Sequence, residues 1–474
     1  MKQHISALLL IAMLASLASC GGGTPAADTT APTSLDTTTA PAETELTDHL
    51  PDKDYGGAEV NLLVRTERLY YLDTEENGDV FDDAVYARNR AVEERFNVKL
   101  NYTDVKSDQT LFVGAVQSSV MAGDEGYDII IPDYHWGANV PDYMVNLRGS
   151  QYLDFDKPWW SKAWNDASDI GTGFYSCVGY YCLDLLRDVE VTYFNKTLID
   201  EHQLENPYDL VNSGKWTFDK AIEMGKSVAR DVNGDTLFDE NDAYAMYMNI
   251  HSVRGLYAAM GAQMVVRENG ELKMHGIDDE YVKINDIVYN LRNGNNAVLY
   301  RDDSTVDFTT TLAYKPFNQN NLLFTFFALT AVEAMRQTDV DFGIVPVPTL
   351  NEGDPIRVYN YGCSTSCIPV NAPDTERSEI LLEALNYQSW KDTIPVYYEQ
   401  VLKGKLARDD ESEAMLDLIF ENVYFDTGFV YNNQLGRPEA IHEGTTENIV
   451  SYYDSNKATY ETMLAELIAL YSAE

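Results

Sequence analysis

The sequence predicts an α/β fold of two lobes with a ligand cleft between them. Three observations carry that reading. Strand and helix patterns alternate from about residue 56 to Pro132, the signature of a parallel sheet with right-handed crossovers. The folded part, about residues 56–474, is long enough for two domains of ordinary size. Between Gly179 and Asp242 an extended run, Val189–Phe194, leads into Asn195-Lys196 and two polar blocks, where the backbone leaves one lobe and enters the other.

The elements follow in order. Residues 1–19 read as an export signal: Lys2 is its positive end, Ala7–Leu17 its apolar run, and Leu17-Ala18-Ser19-Cys20 a cleavage site ending in cysteine. The apolar run is too short for a membrane span. Cysteine directly after Leu-Ala-Ser resembles the bacterial lipobox, which implies lipidation of Cys20. Residues 20–55 then supply the anchor and a tether of Gly, Thr, Ala, Pro, Ser and Asp that has too little apolar surface to build a core.

In the body, Val60–Val64 is a short apolar strand. Asp82–Phe96 follows with Val85, Asn89, Val92 and Phe96 at helical spacing, and Val98, Leu100 and Tyr102 alternate as a strand. Thr110–Ala122 is a second helix, and Tyr127–Pro132 an apolar run suited to a strand buried on both faces. Ligands bind beyond the carboxyl ends of such strands, at Arg65–Arg68 and Asp133–Trp136. The tryptophans at 159, 160 and 164 read as packing. Thr217 caps a helix through Val228, and Ala243–Asn249 is a strand. Further helices are expected over Glu280–Arg292, Leu322–Arg336, Thr375–Trp390, Glu411–Phe420 and Thr459–Ser472, with a buried strand at Asp341–Pro348.

A formal net charge of −42 repels nucleic acid, phosphate and anionic lipid, and favours a neutral or cationic ligand. Four cysteines remain after Cys20: Cys177, Cys182, Cys363 and Cys367. An even number in an exported chain permits disulfides in three pairings, and their spacings do not match zinc knuckles. Residues 231–242 place oxygen-bearing side chains at loop positions 1, 3, 5, 9 and 12 (Asp231, Asn233, Asp235, Asp239, Asp242), with the Leu237 carbonyl at position 7. That is the ligand spacing of a calcium loop, for an ion with a structural role. Thr236 stands where the tight turn favours glycine, and Asp242 where a longer Glu is usual; the competing reading is a solvated acidic turn. No G-x-S-x-G, H-E-x-x-H, Walker or G-x-G-x-x-G motif is present. The 32 Tyr, 17 Phe and 6 Trp supply aromatic faces of the kind that hold a neutral polyhydroxylated ligand.

The lipobox, the tether and an ordered set of short motifs resemble the extracellular solute-binding lipoproteins of bacterial ABC importers, in the maltose-binding-protein-like group. Arg88–Val98 looks like that group's first helix and second strand, and Tyr127-Asp128-Ile129 like the strand before its cleft. Tyr193–Lys196 is similar to the segment after its first hinge, Gly214–Asp219 to a helix start, and Asp341–Pro348 to a late strand. The resemblance implies a type II periplasmic-binding-protein-like fold and no catalysis. It implies capture of a carbohydrate outside the cell for a permease, by a monomer anchored to the membrane. By position, lobe 1 takes residues 57–185 and 300–362, and lobe 2 takes 186–299 and 363–474. Cleft positions are Arg65, Tyr134, Trp136 and Asp184 on one side, His251, Arg254 and Tyr257 on the other, and Phe326 and Tyr361 near the second crossing. The readings it competes with are a secreted cell-surface glycoside hydrolase, an adhesive surface lipoprotein, and a binder of peptides or cationic solutes.

Overall fold

The computed structural model describes residues 46–472, apart from 124–125, 138–140, 294–296, 303, 306 and 407–408; the expected signal, Cys20 and most of the tether lie outside the described residues. In the first lobe, β1 (Ala58–Arg65) runs parallel to β2 (Val98–Val105) and β3 (Ile129–Ile131). Helix α1 (Val80–Phe96) starts where the Asp79 carboxylate accepts the amides of Phe81 and Asp82, and ends at Asn97 in the left-handed conformation. Helix α2 (Gln109–Ala122) is capped in the same way by Asp108 and stops at Gly123.

Side chains alternate across this sheet. Leu62, Val64, Ile129 and Ile131 join Val92 and Phe96 on one face, while Leu63 and Ile130 meet Phe112 and Val116 on the other. Burial on both faces is why β3 reads as an unbroken apolar run, and each such side chain contributes about 1.5–3 kcal/mol. The sheet continues through antiparallel bridges, Ile130 to Cys367 and Cys177 to Ser366.

The second lobe holds β4 (Glu190–Asn195), α3 (Phe218–Gly225), β5 (Tyr244–Asn249), α4 (Ile250–Ala259), α5 (Asp279–Asn293), β6 (Val298–Arg301), β7 (Leu322–Ala328) and β8 (Phe342–Val345). Its sheet has the order β8-β4-β7-β5-β6. Strand β5 is parallel to β6 and β7, and β4 is antiparallel to β7 and β8. The two lobes therefore share one plan. In each, a strand that has just crossed from the other lobe enters antiparallel to the strands it pairs with.

Two expectations need correction. Leu322–Arg336 begins as a strand, not a helix: all seven residues of β7 are buried, and a strand covered on both faces shows no period to tell it from a helix. The expected lobe boundaries also exchange two segments. Strands β7 and β8 lie in the second sheet although 300–362 was expected in lobe 1, and Ser366 and Cys367 join the first sheet although 363 onward was expected in lobe 2. The C-terminal part serves both lobes: α6 (Thr375–Gln388) packs on α1, and α7 (Asp410–Glu421) packs on β8. Helix α8 (Ile449–Ser472) touches α5 and carries Tyr471 to within 5.3 Å of the Tyr175 ring. Among the described residues no helix is long and apolar enough to cross a membrane.

Candidate functional site

Two segments, 184–190 and 358–364, carry the chain between the two sheets side by side. Val189 and Asn360 form an antiparallel bridge. The Asn360 side chain donates to the carbonyls of Asp184 at 2.9 Å and Leu185 at 3.1 Å, and the Tyr361 amide donates to the Asp188 carbonyl at 3.0 Å. Arg65, the last residue of β1, is only 3% exposed. Its guanidinium donates to Asp133 at 2.9 Å, Ser364 Oγ at 2.5 Å and the Gly362 carbonyl at 3.3 Å, and meets Asp184 at 3.4 Å. Asp184, fully buried, also accepts from the Tyr71 hydroxyl at 2.7 Å and from Ser364 at 2.5 Å. Arg65 and Asp184 thus spend their polar atoms largely on each other and on the crossing. A buried ion pair survives only with its remaining polar sites satisfied in this way.

Beyond the strand ends, an aromatic and charged cluster joins the lobes. Burial would raise the Asp133 carboxyl, but Arg65 and His135 beside it hold it down to about 2. His135 Nδ1 lies 3.0 Å from Asp133, and the half-buried Trp136 indole lies 5.8 Å from the Arg65 guanidinium. Tyr134 is 1% exposed, its hydroxyl has no hydrogen-bond partner among the described residues, and burial pushes its pKa up. From the second lobe comes α4, whose first turn is capped by Asn249 accepting the Ser252 amide. His251 on that turn lies 4.7 Å from the Tyr361 ring, and burial followed by the nearby Arg254 pushes its pKa down to about 4. Arg254 sits between Glu443 at 3.1 Å and Glu439 at 3.7 Å. Burial would raise Glu439, yet Arg254 and Arg437 bring it below the usual carboxylate range.

Of the residues singled out from sequence, Arg65, Tyr134, Trp136, Asp184, His251, Arg254 and Tyr361 gather at this junction. Tyr257 and Phe326 do not. Tyr257 is fully buried, donates to Asn285 at 2.8 Å and stacks on His442 with ring centroids 4.5 Å apart; Phe326 packs against Phe218 in the same core. Their positions in α4 and β7 turn them to the lobe interior, because neighbouring positions on an element face different ways. Tyr359, which lies beside Arg254, Tyr134 and Glu439, belongs to the cluster and was missed, as were Glu439 and Glu443. His135 lies in the stretch Asp133–Trp136 that the strand-end rule marked; the glutamates come from residues 438–443, far along the chain, where no local pattern marks them.

The remaining motifs take structural forms. In the 231–242 loop, Asp231 accepts the amides of Gly234 and Thr236, Asp235 that of Leu237, and Asp242 those of Val232 and Asp239. Asn233 and Asp239 accept the amides of Asp235 and Asn241, and Thr236 adopts a φ of 70°. Among the described residues no three His, Cys, Asp or Glu side chains form a group able to hold a metal ion. All four cysteines are buried free thiols. The indoles of Trp159 and Trp160 donate to Glu383 at 2.8 and 2.9 Å, and burial still pushes that carboxyl up to about 7.

Comparison with known proteins fits this geometry. The family model for bacterial extracellular solute-binding proteins matches residues 74–367, more than half of the chain. Among solved structures, the cyclic α-maltosyl-1,6-maltose binding protein from Arthrobacter globiformis is similar with a TM-score of 0.59 at 12% identity, over 87% of this chain and 100% of that one. A sugar transporter protein from Rhizobium etli in an open conformation gives 0.55 at 14%, over 88% and 100%. UgpB from Mycobacterium tuberculosis, in complex with glycerophosphocholine, gives 0.55 at 14%, over 87% and 98%. No curated protein matches. The family places the protein outside the cytoplasm and makes its role the binding of a solute, and the chain belongs to the bacterial extracellular solute-binding protein family.

Proposed function

We propose that this chain captures an uncharged sugar or oligosaccharide between its lobes and hands it to the permease of an ABC importer, with no chemical step of its own. The observation that carries the reading is the junction cluster. Arg65 and Arg254 are each already paired with carboxylates, which leaves aromatic faces and polar rims rather than a net charge for a ligand. Trp136, Tyr361, His251 and His135 supply surfaces for C–H faces, while Arg254 and Glu443 offer donors and acceptors to hydroxyls. Two of the three structural relatives named above are sugar proteins by their own descriptions, which supports the class.

Closure would be a hinge motion favoured by ligand contacts to both lobes. Within the same proposal, Cys20 carries the lipid, the rest of residues 20–55 serves as tether, the receptor works as a monomer, and calcium orders the 231–242 loop without entering the ligand site. The test is a thermal-shift screen of the full chain with linear and cyclic malto-oligosaccharides, monosaccharides, a uronate and glycerophosphocholine, with and without calcium. One uncharged sugar is expected to raise the melting temperature and to be recovered intact. Cleavage of that sugar would support a glycoside hydrolase. A shift with the uronate or glycerophosphocholine alone would contradict the uncharged-ligand reading, and calcium without effect would remove it from the loop.

A further inference from the structure

Arg68 joins three parts of the hinge at once. It lies in the 3-10 turn Thr66–Tyr71 directly after β1, so its backbone belongs to the first lobe. Its guanidinium pairs with Asp188 on the first crossing and donates to the Gly362 carbonyl on the second at 3.2 Å. Its Nε stands 3.5 Å from Asp184. The fit is close: a Cβ placed on Gly362 would stand 3.1 Å from Asp188 Oδ2 and 3.3 Å from Arg68 Nη2. With the Asn360 and Tyr361 bonds between the crossings, these contacts tie 184–188 and 360–364 into one body with the end of β1. On the other side of that body the support changes. The Val189 carbonyl accepts the Leu329 amide of the second lobe at 2.9 Å, and residues 354–357 have neither helix nor strand.

We propose that Arg68 is a hinge-positioning residue that pins both crossings to the first lobe, so that closure bends the chain after Asp188 and before Asn360, on the second-lobe side. The guanidinium fork suits the task because it holds a carboxylate and a carbonyl together, which a lysine ammonium does less well. A moving hinge placed inside the Arg65–Asp184 network would have to break several buried charged bonds; a bend outside it breaks none of them.

The position of the bend rests on the receptor reading, but the pin is tested without ligand. Hydrogen exchange is measured by mass spectrometry on the full chain. Arg68→Ala is expected to speed exchange about tenfold in peptides covering 184–188 and 360–364, with Arg68→Lys in between. Peptides from β4 and β7 keep wild-type exchange in both variants, and in the wild type 354–357 exchanges faster than 360–364. Unchanged crossing peptides in Arg68→Ala would overturn the pin, as would an equal rise in β4 and β7, which would mean general loosening. A failed sugar screen would leave these results standing, and a failed pin would not touch the sugar reading.

Discussion

Glu190 shows what burial does to a single carboxyl. It is the first residue of β4, only 2% exposed, and its Oε2 has no hydrogen-bond partner among the described residues. Burial pushes its pKa up to about 8, with Ser252 pulling weakly the other way. The folded state therefore holds a proton that the unfolded chain releases near pH 4.5, so Glu190 costs stability as pH rises through that window, on the order of 5 kcal/mol in full. Glu190→Gln should raise the melting temperature at pH 8.5 and change it little at pH 5; an equal shift at both would contradict a neutral Glu190. His251 and His442 act at the other end. Burial lowers them to about 4 and about 3, so the stability they hold as neutral rings is lost as pH falls below about 6.5. Strand-end reasoning located Arg65 and His251 because backbone direction is written in the sequence. It could not locate Glu443, or show that Tyr257 faces inward, because both depend on packing between distant segments. Two variants separate these roles in calorimetry with the sugar found by the screen. Arg254→Ala is expected to weaken binding about tenfold or more, while Tyr257→Phe leaves affinity intact and costs about 1–2 kcal/mol of stability through the unpaired Asn285. Equal affinity in Arg254→Ala would remove Arg254 from the site.

Elements with a period were legible; those without one were not. Helix α1 was readable from Val85, Asn89, Val92 and Phe96, all of them buried, and β3 from its short apolar run. Strand β7 was misread because an unbroken apolar run of Leu, Phe, Thr and Ala fits either a buried helix or a buried strand. Its central place in the second sheet, between β4 and β5, follows only from pairing. That position sets a cost: Phe326→Ala should destabilise the protein by about 3–5 kcal/mol in chemical denaturation, since the cavity forms inside a packed sheet. A loss under 1 kcal/mol would argue against a buried β7. The cap of α4 makes a smaller case. Asn249→Ala should cost about 1 kcal/mol and loosen the turn that presents His251 to the cleft. The 231–242 loop carried both a calcium-ligand spacing and the look of a solvated acidic turn, and its carboxylates bond its own amides.

At the scale of the molecule, two lobes repeat one sheet plan and exchange one antiparallel strand each. The sequence carried the alternation of elements and the extended run at the first crossing, and these sufficed for the architecture. It did not carry the second crossing accurately, because the return strand at Ser366 and Cys367 looks like any loop segment until it is paired. The charge of the chain also misleads if read locally: the formal net charge is −42, while the junction sets its arginines against carboxylates. The most direct test of a receptor that closes on an uncharged sugar is small-angle X-ray scattering of the full chain, titrated with the oligosaccharide panel. The radius of gyration should fall and saturate with one uncharged sugar, as the lobes rotate together about the pinned crossings. A radius that stays constant across the whole panel would contradict closure on a sugar.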